Sequence, residues 1–195
     1  MIDTLIVSDI HIGREDSSLY ELFYFLIKNK CKTLVLNGDI FDQFALWKDK
    51  GEYYKKHHRG FVGNIRKILK ERKTKIYYLI GNHDYLMFLL IPFGFLWGIK
   101  IRKRIKKYNV LIEHGDWITL YLKIRKFFKK SINISDDFHK NCSTFAELKK
   151  VDMIVGHSHK PKKLVGAYCD VYDVGDWVGS NSYCILSDDN VEIIK

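Results

Sequence analysis

The chain has 195 residues, of which 47% are hydrophobic, and its formal net charge is +10 at pH 7. This length suits a single domain, residues 1–195, with a substantial core, and no stretch has the composition of an interdomain linker or a low-complexity tract. The positive charge favours an anionic partner and leaves phosphate, nucleic acid and an acidic membrane surface open.

The N-terminus and the cysteines indicate where the protein acts. No basic segment precedes the first apolar run, and Asp3 and Asp9 interrupt that run, which argues against a secretory signal peptide. The four cysteines show no Cys-x-x-Cys spacing, and the apolar surroundings of Cys31 and Cys184 predict reduced core residues. An intracellular, cytoplasmic location is therefore expected.

Strand-like and helix-like stretches alternate through the first half of the chain, as in repeated β-α-β units. Residues 17–28 and 53–72 each predict a helix, because their apolar side chains recur at helical spacing. The C-terminal part contains four short β runs that predict an antiparallel meander, at residues 163–168, 171–174, 183–186 and 191–194. Together these patterns predict an α/β fold of two packed sheets with helices outside.

Two segments fit this plan poorly. Residues 85–99 are almost wholly apolar and are followed by six basic residues within 100–107, while residues 119–133 interleave apolar and basic side chains. One interpretation is a buried loop or helix with a solvated basic face. The other is a small apolar and basic cap, about residues 85–108 and 119–150, that rests on an anionic membrane or gathers an acyl chain.

Five short polar clusters, each after an apolar run that reads as a strand, carry most of the functional information. They are Asp9-Ile10-His11, Gly38-Asp39, Gly81-Asn82-His83-Asp84, Glu113-His114-Gly115-Asp116 and Gly156-His157-Ser158-His159. If the apolar runs are neighbouring buried strands, all five clusters emerge at one edge of a sheet, which is where open α/β folds build their sites.

The residue types in these clusters predict a metal centre. Carboxylate and amide oxygens bind hard divalent cations, whereas imidazole suits Mn, Fe, Zn or Ni. The mixture of Asp, His and Asn without a thiolate therefore favours a transition-metal centre over a site for magnesium alone. A two-metal site also needs a carboxylate that reaches both ions, and Asp39 is the candidate for that bridge.

In this order the motifs D-x-H, GD, GNHD, HG and GHxH resemble the calcineurin-like metallophosphoesterase superfamily, over nearly the whole chain. The resemblance implies a four-layer αββα sandwich and a hydrolase with two divalent metal ions, in which a water between the ions attacks phosphorus. It also implies the metal ligands: Asp9, His11 and His159 for one ion, Asn82, His114 and His157 for the other, and Asp39 as the bridge.

Three further residues receive roles near these ligands. His83, oriented by Asp84, is predicted to stabilise the transferring phosphoryl group or to protonate the leaving oxygen. The alternative is that His83 only orients the metal ligands. Arg14 lies close enough in sequence to His11 to bind a phosphate oxygen of the substrate. The remaining histidines match no motif and are predicted to lie at the surface: His57, His58 and His139.

Within the superfamily, three segments resemble the branch that contains UDP-2,3-diacylglucosamine diphosphatase: residues 9–13, 38–42 and 174–178. That resemblance implies manganese, a lipid-nucleotide pyrophosphate as substrate, and peripheral contact with the inner face of an anionic membrane. Three alternatives stay open: a soluble phosphodiesterase or phosphatase, a nuclease, and a non-catalytic scaffold. The nuclease is disfavoured because no aromatic and basic platform for a single strand is evident, and the scaffold because no ligand is missing.

Overall fold

The computed structural model describes residues 1–84, 98–128, 134–135, 137–188 and 190–195. Within these ranges it has eleven strands: β1 Ile2–Val7, β2 Cys31–Asn37, β3 Lys75–Leu79, β4 Ile99–Arg102, β5 Arg104–Lys107, β6 Val110–Glu113, β7 Asp152–Val155, β8 Lys162–Leu164, β9 Val171–Asp173, β10 Tyr183–Ser187 and β11 Asn190–Ile194. The helices in the same ranges are α1 Leu19–Lys28, α2 Gln43–Lys48, a π-helical turn Tyr54–His58, α3 Arg59–Glu71, α4 Ile118–Phe128 and α5 Phe138–Lys149. The two helices predicted from the apolar spacing, over 17–28 and 53–72, are confirmed, the second with a π-helical first turn.

The strands form two sheets. The first has the order β11-β10-β1-β2-β3-β4, and the second has the order β5-β6-β7-β9-β8. Strands β1 to β4 are mutually parallel, as are β6, β7 and β9, whereas the remaining neighbours are antiparallel. The β-α-β units predicted for the first half of the chain supply the parallel strands β1 to β3 of the first sheet. Hairpins supply both edges of the second sheet and one edge of the first, whose other edge is the parallel strand β4.

Three apolar layers hold the sheets and helices together. Successive side chains of a strand point to opposite faces, so each sheet contributes side chains to the layer on either side of it. In β1, Leu5 and Val7 pack towards α1 and α3, while Ile6 packs into the layer between the two sheets. In β7, Met153 faces α4 and α5, and Ile154 faces the other sheet. The resulting order of helices, sheet, sheet and helices is the four-layer αββα sandwich that the motifs implied.

The four C-terminal strands are present but do not form one meander. Strands β8 and β9 form a hairpin in the second sheet, where β9 is parallel to β7. Strands β10 and β11 form another hairpin in the first sheet, where β10 pairs with β1. The chain changes sheets between β9 and β10, so that Cys184 and Leu186 of β10 fill the layer between the sheets. The alternation of apolar and polar side chains predicts a strand but does not tell which of the two sheets the strand joins.

The described parts of the two segments assigned to a cap lie in the layers of the sandwich. Residues 99–102 and 104–107 form the edge strands β4 and β5. Helices α4 and α5 cover the second sheet with buried side chains such as Leu122 and Phe145. The apolar stretch 85–97 lies outside the described residues, so its assignment to a cap stays a prediction.

Two smaller features of the described residues are the burial of the cysteines and the character of the helices. Cys31, Cys142, Cys169 and Cys184 are all buried with free thiols, as predicted for Cys31 and Cys184. Among the helices of the described ranges, none combines the length and apolar character that crossing a bilayer requires.

Candidate metal centre

The five polar clusters meet at the carboxyl edge of the two sheets. They follow β1, β2, β3, β6 and β7, whose parallel neighbours end on the same side. Backbone hydrogen bonds join the clusters within each sheet, from Asp9 N to Gly38 O at 3.1 Å and from Gly156 N to His114 O at 3.0 Å. Across the sheets, His157 N donates to Asp9 Oδ2 at 3.0 Å. The sandwich thus brings together clusters that are far apart in sequence.

One group of side chains contains Asp9, His11 and His159, whose ligand atoms all lie within 4.8 Å of one another. Oδ1 of Asp9 is 3.3 Å from Nε2 of His159 and 4.0 Å from Nε2 of His11. Asp9 and His11 are almost fully buried, while His159 is half-buried. These three residues are the set that the motifs assigned to one ion.

A second group contains Asp39, His114 and His157, again with ligand atoms within 4.8 Å of one another. Nε2 of His114 is 3.2 Å from Oδ2 of Asp39, and both side chains are buried. Asn82 stands directly before His83, whose backbone N–H donates to Oδ1 of Asp39 at 2.7 Å. The two predicted histidine ligands of the other ion are therefore gathered around Asp39, and the backbone next to Asn82 reaches the same carboxylate.

Several predicted ligand atoms are buried without a hydrogen-bond partner among the described residues. They are Oδ1 of Asp9, Nε2 of His11 and Oδ1 of Asn82, whereas Nε2 of His114 faces the carboxylate of Asp39. Buried polar atoms nearly always have a partner, so three oxygen and nitrogen atoms at one sheet edge without a hydrogen bond call for one. Divalent cations accept this donor set of carboxylate, amide and imidazole, so the residues fit the metal ions that the motifs imply.

The electrostatics of the site favour positive charge. Burial opposes protonation of His114, but the facing carboxylates of Asp9 and Asp39 raise its pKa to about 10. Burial likewise opposes the charged form of Asp39, yet His114 holds the pKa of that carboxyl down at about 2. His11 differs, because burial lowers its pKa to about 4 and keeps its imidazole neutral, the form that binds metals.

The backbone of the predicted ligands is unusual. Five of them have the left-handed φ that L side chains rarely adopt: Asp9 at 53°, His11 at 51°, Asp39 at 51°, His157 at 73° and His159 at 59°. Each such residue costs about 1–3 kcal/mol and persists only where surrounding contacts hold it. Strain concentrated on these residues supports a functional role for the sheet edge.

Two carboxylates that the sequence analysis gave no role orient the histidines. Oδ2 of Asp42 lies 3.2 Å from Nδ1 of His11 and 3.3 Å from Nδ1 of His83. Oδ2 of Asp176 lies 2.8 Å from Nδ1 of His159. A carboxylate at Nδ1 fixes the tautomer and leaves Nε2 for the ligand or substrate. The sequence contained one indication of these two residues. Asp42 and Asp176 both belong to segments that resemble the diphosphatase branch.

His83 lies at the site, but Asp84 does not orient it. The carboxylate of Asp84 is buried and accepts hydrogen bonds from the backbone N–H groups of Ile40 and Phe41 and from the hydroxyl of Tyr78. Burial raises the pKa of Asp84 to about 6. Asp84 therefore ties the loop after β2 to the loop after β3, and the orienting carboxylate expected of Asp84 is supplied by Asp42.

Arg14 and the three remaining histidines are placed as follows. The guanidinium of Arg14 pairs with the carboxylate of Asp16 at the surface. His57 is exposed, as predicted. The surface prediction is wrong for His58, which is buried and accepts a hydrogen bond from Gly13 N at 3.0 Å. It is also wrong for His139, whose side chain is only 12% exposed and contacts Asp173.

Residues 2–194 match the sequence profile of the calcineurin-like phosphoesterase family, and the chain belongs to this family. The fold and the gathered ligand groups agree with that class, a metal-dependent phosphoesterase.

Two curated relatives have names that state a more specific activity than the family does. The chain is 30% identical, over 144 residues, to UDP-2,3-diacylglucosamine hydrolase of Wigglesworthia glossinidia brevipalpis, a match that covers 68% of this chain and 54% of the relative. The chain thus matches about half of that relative's length. It is 25% identical to UDP-2,3-diacylglucosamine hydrolase of Shewanella piezotolerans over 98% of this chain and 97% of the relative.

Solved structures show the same fold at low identity. A single mutant of Vps29 from Entamoeba histolytica superposes with a TM-score of 0.52 at 13% identity, covering 98% of this chain and 96% of that chain. An archaeal phosphodiesterase superposes with a TM-score of 0.51 at 14% identity, covering 98% of both chains.

Proposed function

We propose that this protein hydrolyses a phosphoester or pyrophosphate bond with two divalent metal ions. The observation that carries the proposal is the pair of three-residue groups at the sheet edge, together with buried ligand atoms of Asp9, His11 and Asn82 that make no hydrogen bond among the described residues. Asp9, His11 and His159 would hold one ion, and Asn82, His114 and His157 the other. Asp39 would bridge the two.

When bound, the ions supply Lewis-acid activation of the attacking water and of the phosphoryl group. The chain's own contribution at the reacting group is His83. Asp42 contacts its Nδ1, so Nε2 is the atom available to stabilise the phosphoryl oxygens or to pass a proton to the leaving oxygen. The side chain of His83 is 29% exposed, which leaves room for a substrate to approach.

The substrate that we propose is UDP-2,3-diacylglucosamine or a closely similar lipid-nucleotide pyrophosphate. Support comes from the names of the two curated relatives and from the segment around Asp176, which carried the resemblance to the diphosphatase branch. The net charge of +10 suits a substrate with two phosphates. With such a substrate we also propose peripheral contact with the inner face of an anionic membrane, where a lipid nucleotide would be reached.

The metal that we propose is manganese, which the resemblance to the diphosphatase branch implies and which suits a donor set of carboxylates and imidazoles without thiolates. Iron, zinc and nickel accept the same donors. Metal-stripped protein reloaded with each ion in turn would rank them by turnover, and highest activity with another ion would replace manganese.

The test of this function compares Mn-dependent hydrolysis of UDP-2,3-diacylglucosamine with that of bis-p-nitrophenyl phosphate. We expect Asp39→Asn to lower kcat on both substrates by at least about 100-fold, since changes to residues behind the ligands alone cost about 10- to 100-fold. Strong preference for the lipid nucleotide would support the proposed substrate. Activity on the diester alone would leave a phosphodiesterase with another substrate.

A matched control is Asp188→Asn. Asp188 has a left-handed φ of 41°, as Asp39 has 51°, and asparagine tolerates that conformation at both positions. Asp188 follows β10, whose register places its end beside the start of β1, at the opposite edge of the sheet. Near-normal turnover of Asp39→Asn, or equal losses in both variants, would contradict the assignment of the site.

A further inference from the structure

His139 is joined to the loop that carries two of the proposed metal ligands. It belongs to the first turn of α5, where its backbone N–H donates to the capping carboxylate of Asp137 at 2.9 Å. Nε2 of His139 lies 2.9 Å from Oδ2 of Asp173 and 3.2 Å from the hydroxyl of Ser158. Ser158 stands between His157 and His159, so a residue outside all five clusters reaches the centre of one of them.

Asp173 is the hub of these contacts. Its side chain is fully buried at the end of β9. Oδ2 also accepts a hydrogen bond from the hydroxyl of Ser158 at 2.6 Å, and Oδ1 accepts one from Gly175 N at 2.9 Å. Burying a carboxylate is costly unless donors surround it, and here three donors do so. The carboxylate thereby ties the loop of His157 and His159 to α5 and to the turn that carries Asp176.

The arrangement is not a nucleophilic Ser-His-Asp triad. In such a triad the aspartate and the serine contact different nitrogens of the imidazole. Here Ser158 and Asp173 both contact Nε2 of His139, and the serine hydroxyl donates to the aspartate itself. The three side chains therefore form an anchor rather than an activated hydroxyl.

The loop needs such an anchor. His157 and His159 have φ values of 73° and 59°, and strain of about 1–3 kcal/mol per residue must be held by neighbouring contacts. The two imidazoles belong to different ligand groups, His157 with Asp39 and His159 with Asp9. The orientation of Ser158 between them therefore affects both groups at once.

A second contact from α5 acts on the same loop. The ring of Phe138 lies 5.2 Å from the ring of His157 and also fills the space beside Gly115, where an added Cβ would lie 2.9 Å from Phe138. The first turn of α5 therefore contacts His157 through Phe138 and Ser158 through His139.

We propose that His139, Asp173 and Ser158 are positioning residues that hold His157 and His159 in place for two metal ions. This inference rests on the proposed two-metal function and adds the residues that fix the ligand loop. Loss of the anchor would let the loop relax and would lower metal affinity, while the residues that meet the substrate stay unchanged.

The test measures metal binding separately from turnover. Metal-free protein is titrated with Mn²⁺ by calorimetry, and the absorption spectrum of the Co²⁺-loaded protein reports ligand geometry. We expect His139→Ala and Ser158→Ala each to weaken at least one ion about 10- to 100-fold and to alter the Co²⁺ spectrum. At saturating Mn²⁺, KM for bis-p-nitrophenyl phosphate should stay near the wild-type value while kcat falls.

Rescue and control variants separate positioning from a general loss of structure. His139→Gln keeps an amide N–H that can reach Asp173 and should restore most of the affinity. His57→Ala removes an exposed histidine and should change neither the affinity nor the spectrum. Wild-type affinity and spectrum in both His139→Ala and Ser158→Ala would overturn the inference, as would failure of His139→Gln to improve on His139→Ala.

The outcomes for this inference and for the proposed function can be told apart. If the wild type binds two ions and the anchor variants lose affinity, the inference stands even when no phosphoester is hydrolysed. If the wild type hydrolyses the diester and the anchor variants bind both ions normally, the function stands and the inference fails.

Discussion

At the scale of single residues, His83 offers the sharpest separation between chemistry and metal binding. Its ring packs edge-on against His11 and Phe44, at 4.8 Å and 5.7 Å between ring centroids, and faces solvent with 29% of its side chain. We expect His83→Ala to lower kcat by about 10²- to 10⁴-fold, the usual contribution of a positioned acid or base, with Mn²⁺ affinity nearly unchanged. Parallel losses of kcat and Mn²⁺ affinity would instead make His83 a residue that only orients ligands.

The clusters that contain the seven proposed ligands could be located from the sequence because each stands directly after an apolar run, and the resemblance to the phosphoesterase family supplied the ligand assignment within them. The carboxylates behind them could not be assigned in the same way. Asp42 and Asp84 both stand a few residues from a predicted ligand, and only the loop conformations decide that Asp42 contacts His83 while Asp84 accepts backbone hydrogen bonds. His139 is 18 residues from His157 along the chain, and the packing of α5 alone brings it to the loop.

At the scale of the elements, the loops after β2 and β3 approach so closely that one position admits only glycine. A Cβ added to Gly81 would lie 2.2 Å from Oδ1 of Asp39 and 2.5 Å from its backbone nitrogen. We expect Gly81→Ala to displace Asp39 and to weaken Mn²⁺ binding by at least about 10-fold, as loss of a supporting contact does. Calorimetric titration of the metal-free protein would measure this change.

The same substitution elsewhere is the control for Gly81. In α3 a Cβ added to Gly63 meets no atom within 4 Å, and alanine is the better helix former. Gly63→Ala should therefore leave Mn²⁺ affinity unchanged and raise the free energy of unfolding by about 0.5–1 kcal/mol. Equal Mn²⁺ affinities in the two variants would show that the close approach at Gly81 does not position Asp39.

Helices α1 and α3 and most of the strands followed from apolar spacing, whereas the assignment of strands to sheets did not. Periodicity located β10 and β11 but gave no sign that they belong to the first sheet, where β10 pairs with β1 and β11 pairs with β10. Strand pairing depends on which sheet edges the rest of the fold leaves open, and a local pattern does not contain that information. The same reason explains β4 and β5, which are edge strands although their sequence suggested part of a cap.

At the scale of the whole molecule, the basic run 100–107 lies along one side of the sandwich, where β4 and β5 are the edge strands of the two sheets. Lysines on an edge strand discourage pairing with another chain, and that alone could explain their presence. Several of the basic side chains are exposed, among them Lys100, Lys103 and Lys106. They form a positive strip that also suits an anionic membrane, on which each basic residue contributes about 1 kcal/mol.

Charge reversal distinguishes the two roles of this strip. Removing three lysines should cost about 3 kcal/mol of binding, so the triple variant Lys100→Glu, Lys103→Glu and Lys106→Glu should partition about 100-fold less onto vesicles rich in phosphatidylglycerol at low salt. The matched control reverses three exposed lysines outside the strip, Lys56, Lys67 and Lys70, and so makes the same change in net charge. If membrane contact is made through the strip, only the first variant loses binding in a sedimentation assay. Equal losses of vesicle binding in both variants would assign the binding to net charge alone. If neither variant loses binding, the role of the lysines is to protect the two sheet edges from pairing with another chain.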